Sequence, residues 1–347
     1  MTKRRVTSQD VAEHAGVSRT TVSFVLNRVE GVHITEETRQ RVFNAAESLG
    51  YVPDAAAQAL AGRRAQIIGL VFSRSYHHIA SDAFLLQVMD GLMDVVRKDG
   101  LRLLLDSVET WSQKDVYLNL ARAKRIDGII LSGPRSDDKE LRALAEEGFP
   151  VVLIGHLSRV KISSVDIDSR AAARLAVEHL LAQGHSRIGC ITNAPLSYTA
   201  ASERLQGYQD ALSAAGYSFD QNLVRYGDYS PESGFKTMTS LLAEANRPTA
   251  VFVASDVVAF GAMTAVREHG LKVPQDIALV GFDDVPLARY VDPPLTTVHL
   301  PIAELGRQAG QLLVDLIFRQ TEPGRQIWLE PELIVRSSSV KKTSFPI

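Results

Sequence analysis

A short stretch near the start of the chain, 19–27, concentrates side chains that donate and accept hydrogen bonds. At helical spacing, one face of this stretch is polar and comprises Arg19, Thr20, Thr21, Ser23 and Asn27. Base edges in the major groove of DNA present a code of donors and acceptors that such side chains can match. The stretch therefore predicts a DNA-reading helix. The alternative is an ordinary helical hairpin with a solvated face.

A first helix and a tight turn are predicted to hold this face in place. Thr7 can cap the first helix, and Asp10, three residues later, can return a hydrogen bond to the backbone of Thr7. Gly16 can adopt the backbone conformation of the turn, which a residue with a Cβ resists. Ser18 can then cap the second helix. The apolar side of that helix comprises Val22, Val25 and Leu26.

A third helix is predicted after Thr35, which can cap it. Glu36 and Glu37 lie in its first turn, where the helix dipole favours anions. Gly50 is expected to end the helix. Its buried stripe is expected to comprise Val42, Phe43, Ala46 and Leu49. A short alanine-rich run, Asp54 to Ala61, follows.

These motifs resemble the head of the lactose/galactose-repressor (LacI/GalR) family. From Val6 to Leu60 the chain reads V-T-x-x-D-V-A-x-x-A-G-V-S-x-x-T-V-S-x-V-L-N, then T-R-x-R-V-x-x-A, L-G-Y-x-P and A-x-x-L. Several independent spacings agree, so the match is specific. The resemblance implies sequence-specific binding to double-stranded operator DNA. The DNA-binding residues would be Thr7, Ser18, Arg19, Thr20, Thr21, Ser23, Phe24, Asn27, Ala57 and Leu60.

The composition of the 347-residue chain is that of a globular protein, with 45% hydrophobic residues and a net charge of −2. This length leaves room for two or three domains. The one cysteine, Cys190, lies in an apolar run and is expected to be a buried hydrophobe. Signal-like and membrane-length apolar runs are not found, so we expect a cytoplasmic protein without a membrane partner.

After Gln66 the pattern changes to apolar strands that alternate with helices, which is typical of a parallel sheet covered on both faces. A first set of strands is predicted near 67–72, 101–105, 128–131 and 151–154. A second set is predicted to begin with 164–167 and to continue near 188–191, 224–226, 250–253 and 277–280. After Asp292-Pro293-Pro294 the chain is expected to cross back, and the helix Ile302 to Phe318 completes the first half.

The predicted fold class is an all-α helix-turn-helix head plus an α/β periplasmic-binding-protein-like clamp of two doubly wound parallel-sheet lobes. We expect the head at 1–52, a hinge helix and linker at 53–65, and an effector-binding and dimerisation domain at 66–347. The first lobe would comprise about 66–162 and 294–325, and the second about 163–293 and 326–340. A ligand of such a clamp binds at the carboxyl ends of the strands.

The resemblance extends into this clamp and so covers almost the whole chain. The motifs are E-H-L-L-x-x-G-H-x-R-I from Glu178, E-R-L-x-G-Y from Glu203, V-P-x-D-I-A-L-V-G-F-D-D from Val273 and P-L-T-T-V from Pro294. Leu300 and Ile302 depart from the polar and aromatic contacts of the sugar-binding prototype. The pocket therefore does not copy that prototype.

By position, the resemblance implies that Arg204 reaches ligand hydroxyls or a carboxylate, that Asp283 accepts hydrogen bonds and that Tyr229 offers an aromatic platform. The other implied effector-binding residues are Ser73, Tyr76, His156, Tyr198 and Ser255. A guanidinium, a carboxylate and an aromatic face suit a saccharide. A purine is disfavoured, because Tyr198 replaces an arginine of the purine-binding relative. The alternatives are a surface charge at Arg204, a turn cap at Asp283 and core packing at Tyr229.

The predicted function is that of a transcriptional repressor, which binds a palindromic operator as a homodimer and responds to a saccharide effector. The alternatives are an activator or corepressor-dependent regulator of the same family and a sugar-binding protein of transport type. An enzyme, a cofactor and a metal site are not expected. The sequence shows no Gly-rich phosphate loop, and neither His156 nor the His77-His78 pair has partners at metal-ligand spacing.

The alanine-rich run leads to a prediction about DNA bending. It is shorter than the roughly 12 to 15 residues at which an isolated helix becomes stable, so we expect it to be helical only when two copies pack on the operator. In the family, the residue that matches Leu60 inserts between base pairs and kinks the duplex. In the full-length dimer, Leu60→Ala should cause a large loss of operator affinity and of bending in gel-shift assays, without changing ligand affinity in the absence of DNA. Bending equal to the unmutated protein would instead identify a passive linker.

Overall fold

Three helices form the head of the chain in a computed structural model, which describes residues 6–27, 29, 31–52, 64–74, 82–108 and 116–340. The helices are α1 (Ser8–Ala15), α2 (Arg19–Leu26) and α3 (Glu36–Leu49). The predicted caps are present: Thr7 and Asp10 form a capping box, and Ser18 Oγ accepts a hydrogen bond from the backbone N–H of Thr21 at 3.0 Å. The run Asp54 to Ala61, and with it Ala57 and Leu60, lies outside the described residues, as does Tyr76.

The core of the head differs from the prediction at one position of α3. Val42, Ala45 and Ala46 are buried, whereas Phe43 is 40% exposed. The prediction that Phe43 belongs to the buried stripe is therefore wrong. Positions 42, 45, 46 and 49 follow the i, i+3, i+4, i+7 spacing of one helix face, and position 43 lies a further 100° around the helix.

The first α/β lobe is built on a six-stranded sheet in the order β11-β5-β4-β3-β1-β2. Its strands are β1 (Ile67–Phe72), β2 (Arg102–Ser107), β3 (Gly128–Ser132), β4 (Val151–Ile154), β5 (Ser163–Ile167) and β11 (Gln326–Leu329). The helices that follow its strands are α4 (Ala83–Lys98), α5 (Val116–Arg122) and α6 (Lys139–Glu146), with α11 (Ile302–Phe318) added from near the end of the chain. The central strands are apolar throughout because helices cover both faces of the sheet.

The second lobe repeats this plan with a sheet in the order β12-β10-β9-β8-β6-β7. Its strands are β6 (Ile188–Thr192), β7 (Val224–Tyr226), β8 (Ala250–Val253), β9 (Ala278–Asp283), β10 (Thr296–His299) and β12 (Glu332–Ile334). Its α-helices are α7 (Ser169–Ala182), α8 (Thr199–Ala214), α9 (Pro231–Leu242) and α10 (Asp256–Glu268), and short 3₁₀ turns span Gln221–Leu223 and Pro286–Arg289. Within the described ranges, no helix combines the length and apolar character needed to cross a membrane.

Three strands near the crossovers do not lie in the lobe to which the sequence analysis assigned them. β5 was expected to open the second lobe, but it pairs with β4, and β11 pairs in turn with β5. β10 was expected in the first lobe, but it pairs in parallel with β9. The chain therefore crosses after β5, after β10 and after β11. Ladder partners decide this membership, and the apolar pattern of each strand is the same on either side of a crossover.

Glycines allow the covering helices to approach at backbone contact. A Cβ on Gly91 of α4 would collide with the carbonyl oxygen of Ala303 in α11, and a Cβ on Gly306 of α11 would meet the carbonyl oxygen of Val88. Gly234 and Gly261 play the same part between α9 and α10. The two helix pairs therefore have little room for an added methyl group.

This packing predicts a loss of stability in Gly91→Ala. An overpacked core typically costs about 1–3 kcal/mol, and here the obstacle is backbone, so the free energy of unfolding should fall by about 3 kcal/mol in urea titrations. Gly69→Ala is the matched control, since the atoms nearest to its methyl group would be side-chain atoms of Ile126 and Ile129 and one carbonyl oxygen, all at 3.3 Å or more. Equal unfolding free energies for the two variants would show that α4 and α11 can separate without cost.

Candidate functional site

A cavity that is partly open to solvent lies where the carboxyl ends of the two sheets face each other. Both lobes contribute its walls. The polar lining residues are Arg74, Asp82, Ser132, Asp166, Ser169, Asn193, Arg204, Tyr229, Ser255 and Asp283, and the apolar ones include Phe84, Ile154, Val257, Leu300 and Leu305. A polar wall with a few apolar patches is the usual character of a site for a small polar ligand.

The buried pair Arg204 and Asp283 dominates the second-lobe wall. Arg204 of α8 and Asp283 at the end of β9 are each about nine-tenths buried, with Nη1 and Oδ1 3.7 Å apart. The guanidinium also donates to the carbonyl of Ala254 at 2.7 Å and stacks on the ring of Phe282 at 3.8 Å. Burial raises the pKa of Asp283 to about 6, against the opposing effects of Arg204 and a hydrogen bond from Ser255. Arg204 is therefore not a surface charge.

The loop that carries Asp283 is held by a second buried carboxylate. Asp256, fully buried at the start of α10, accepts hydrogen bonds from the hydroxyl of Thr297 at 2.6 Å and the N–H of Val285 at 2.9 Å. Asp283 and Asp284 have positive φ angles of 114° and 54°. Such conformations cost of order 1–3 kcal/mol and persist only where the surroundings impose them. Asp256 supplies that restraint and so positions Asp283.

The first-lobe wall carries a second ion pair. Arg74 follows β1 and lies 2.5 Å from Asp82, whose other oxygen accepts the N–H groups of Phe84 and Leu85 as the N-cap of α4. The Arg74 guanidinium also lies 4.6 Å from the ring centroid of Tyr229 in the second lobe. One face of the predicted aromatic platform is therefore covered by a cation.

The structure brings four predicted effector residues together in this cavity: Arg204, Tyr229, Ser255 and Asp283. Three others contact residues near its wall. The hydroxyl of Tyr198 donates to the carbonyl of Ser73 across the cleft, and the Tyr198 ring lies edge-on to Tyr229 with centroids 5.4 Å apart. The Nδ1 atom of His156 lies 2.9 Å from Oδ2 of Asp166.

Sequence analysis missed several residues that line the cavity. They are Arg74, Asp82, Ser132, Asp166, Ser169 and Asn193. Asp82 could have been found as an N-cap before the apolar run of α4, and Ser132 because it ends a buried strand. Asn193 could have been found in the same way, because it directly follows the buried strand β6. Asp166 lies within β5 and carries no such local signal.

The predicted DNA-binding face lies on α2, where Arg19 and Thr20 are exposed. Phe24 is half-buried. The amide of Asn27 donates to Ser23 Oγ at 3.1 Å, so these two polar groups are oriented by each other. The exposed guanidinium at the start of α2 is in the position from which a recognition helix contacts bases.

A helix-turn-helix head followed by a two-lobed clamp with a polar cavity defines a ligand-responsive DNA-binding regulator. Residues 7–54 match the family model described as "Bacterial regulatory proteins, lacI family", and residues 177–339 match a "Periplasmic binding protein-like domain". The chain is 36% identical over 339 residues to the HTH-type transcriptional regulator CelR of Thermobifida fusca, covering 97% of this chain and 99% of CelR. It is 34% identical to the repressor PurR of Klebsiella pneumoniae (strain 342), covering 96% of each.

Solved structures agree with these matches. A complex of the regulator CelR with cellobiose aligns with a TM-score of 0.74 and 35% identity over 96% of this chain and 100% of that one. A lac repressor dimer bound to operator and the anti-inducer ONPF aligns with a TM-score of 0.83 and 33% identity over 97% of this chain and 100% of that one. The chain belongs to the lacI family of bacterial transcriptional regulators. The predicted family, the fold class and the assignment as a regulator rather than an enzyme are confirmed.

Proposed function

We propose that the protein is a repressor that binds a palindromic operator as a homodimer and releases it when a neutral saccharide binds between the lobes. One observation carries the effector site. Among the described residues, Arg74 Nε, Asn193 Oδ1 and Arg204 Nε are buried without a hydrogen-bond partner, and all three residues line the cavity. Buried polar groups are normally satisfied, so a ligand that bonds to them gains free energy.

The charges of the cavity favour a neutral ligand. Arg74 is paired with Asp82, and Arg204 with Asp283. Each buried cation therefore already has a carboxylate within 4 Å, and an anionic ligand would displace one of them at a large desolvation cost. Hydroxyl groups can donate to the carboxylates and accept from the guanidinium groups at the same time. The relative whose structure holds cellobiose supports the same class of ligand.

The response to the ligand would pass through the lobes to the head. A ligand that favours one angle between the lobes changes the separation of the two hinge segments of a dimer, and so their packing on DNA. Coupling free energies of about 1–3 kcal/mol are typical, and a ligand that contacts both lobes can supply them. Since operator DNA is the target, the protein would act in the cytoplasm.

The DNA-binding role predicts that Arg19→Ala alters sequence preference. A bidentate contact from arginine to guanine contributes about 1–3 kcal/mol of discrimination. In binding selections on randomised operators, the variant should lose preference at one position of each half-site. Arg41→Ala, which removes another exposed arginine of the head, is the control and should leave the preferred sequence unchanged. An unchanged preferred sequence with Arg19→Ala would refute the role of α2.

The effector role predicts that Arg204→Ala and Asp283→Ala each abolish ligand-induced release of operator while leaving ligand-free operator binding intact. Each substitution leaves its partner buried and unpaired, so ligand affinity should fall by about tenfold or more. Calorimetry with cellobiose and a panel of neutral mono- and disaccharides would measure this. Arg174→Ala, on the exposed side of α7, is the control and should bind normally.

The same experiment has an expected pH dependence. Asp283 accepts hydrogen bonds from ligand hydroxyls as a carboxylate, and its pKa is about 6. Protonation below that pH removes an acceptor, so the affinity of the unmutated protein should fall as the pH drops from 7 to 5.

Unaltered ligand affinity of both Arg204→Ala and Asp283→Ala would contradict the assignment of the cavity as the effector site.

A further inference from the structure

Three side chains from the two lobes meet around one imidazole ring. His156 follows β4 of the first lobe, and its Nδ1 lies 2.9 Å from Oδ2 of Asp166 on β5. Its Nε2 lies 3.0 Å from Oε1 of Glu203 on α8 of the second lobe. The ring also packs edge-on against Trp328 of β11, with centroids 5.3 Å apart. His156 is thus held by the first lobe on two sides and by the second lobe on one.

A carboxylate at each of its two nitrogens favours a protonated ring. A neutral imidazole has one N–H and one acceptor nitrogen, and an acceptor nitrogen facing a carboxylate oxygen at about 3 Å is repelled. With carboxylates at both nitrogens, only the imidazolium donates two hydrogen bonds. The side chains of His156, Asp166 and Glu203 are 23%, 14% and 27% exposed, so water screens these bonds only in part.

The surrounding charges support the same state. Hydrogen bonds that His156 donates to Asp166 and Glu203 raise its pKa to about 10, although burial opposes the shift. Burial raises the pKa of Asp166, and the bond from His156 counteracts it. A nearby cation, Arg170 of α7, is paired with Asp210 at 2.5 Å, and the packed ring of Trp328 is neutral.

We propose that Glu203, His156 and Asp166 form an interlobe clamp, which closes the two lobes over the cavity as His156 takes up a proton. Asp166 itself lines the cavity, so His156 and Glu203 are positioning residues that act through it. The inference goes beyond the proposed effector function and rests on it only in that an effector would use the same closure.

The direction in which pH shifts the closing equilibrium follows from the contact that is lost when the lobes open. Opening separates His156 from Glu203 but leaves Asp166, because β4 and β5 belong to one sheet. The closed state therefore holds the proton more tightly than the open state. Closure is favoured at low pH and is lost as the pH rises from above the ordinary histidine pKa of 6.5 toward about 10. With one proton involved, the closing equilibrium can change by up to about tenfold per pH unit.

The test measures the distance between the lobes in the full-length protein without an effector. Cys190 is buried, so spin labels can be attached at Glu146→Cys in the first lobe and Ser213→Cys in the second, both exposed positions. Electron–electron dipolar spectroscopy should show longer distances at pH 10 than at pH 7.5, and both pH values lie above the range in which Asp283 titrates. The labelled protein that also carries Glu203→Gln should show the longer distances at both pH values.

Glu178→Gln is the matched control, since its partner Arg174 lies on the same helix. It should behave like the unmutated protein. A second measurement follows the His156 ring in the unmutated protein. Its NMR resonance, assigned because it disappears in His156→Gln, should titrate well above pH 6.5. The inference is overturned if that resonance titrates near 6.5, or if the distances do not respond to pH or respond equally with Glu203→Gln. Either failure leaves the effector proposal standing, because no effector is present.

Discussion

The ion pair between Arg204 and Asp283 is the interaction on which the cavity depends. Its two charges are nearly buried and 3.7 Å apart, so their attraction does not by itself offset the cost of removing both from water. Fixed partners make up the difference: a carbonyl and the Phe282 ring for the guanidinium, and Ser255 for the carboxylate. Without a ligand the pair is desolvated and only partly hydrogen-bonded. A polyhydroxyl ligand can supply the missing hydrogen bonds.

The second lobe is shaped to hold that pair. Asp256 joins the start of α10 to β10 and to the loop after β9, and this arrangement imposes the positive φ angles at Asp283 and Asp284. Gly281 leaves the space that the Asp256 carboxylate occupies, since a Cβ there would collide with it. A buried acid that contacts no ligand therefore determines where the ligand-facing acid lies.

At the cleft the two lobes meet through polar contacts, while one buried apolar cluster includes residues of both lobes. Tyr198 bonds to the backbone of Ser73, Arg74 lies over Tyr229, and His156 bridges to Glu203. Water can replace such contacts at small net cost, whereas separating packed aliphatic surface would expose apolar area. A cleft closed in this way can open and close reversibly, as a regulator that responds to a ligand requires. The helix pairs inside each lobe, which pack at glycines, keep each lobe rigid during that motion.

Local chemistry in the sequence determined much of this protein. Cap residues such as Thr7 and Ser18, and apolar periodicity along the chain, predicted the head and the alternating strands and helices. The resemblance of its motifs to the lacI family implied the roles of Arg204 and Asp283. The lobe to which β5 and β10 belong, and the exposure of Phe43, were decided by the tertiary structure. The tertiary structure also decided the partners of Arg74 and His156. Hydrogen bonds between strands and contacts across a cleft join residues that are far apart in the sequence, and no local pattern predicts which of them will pair.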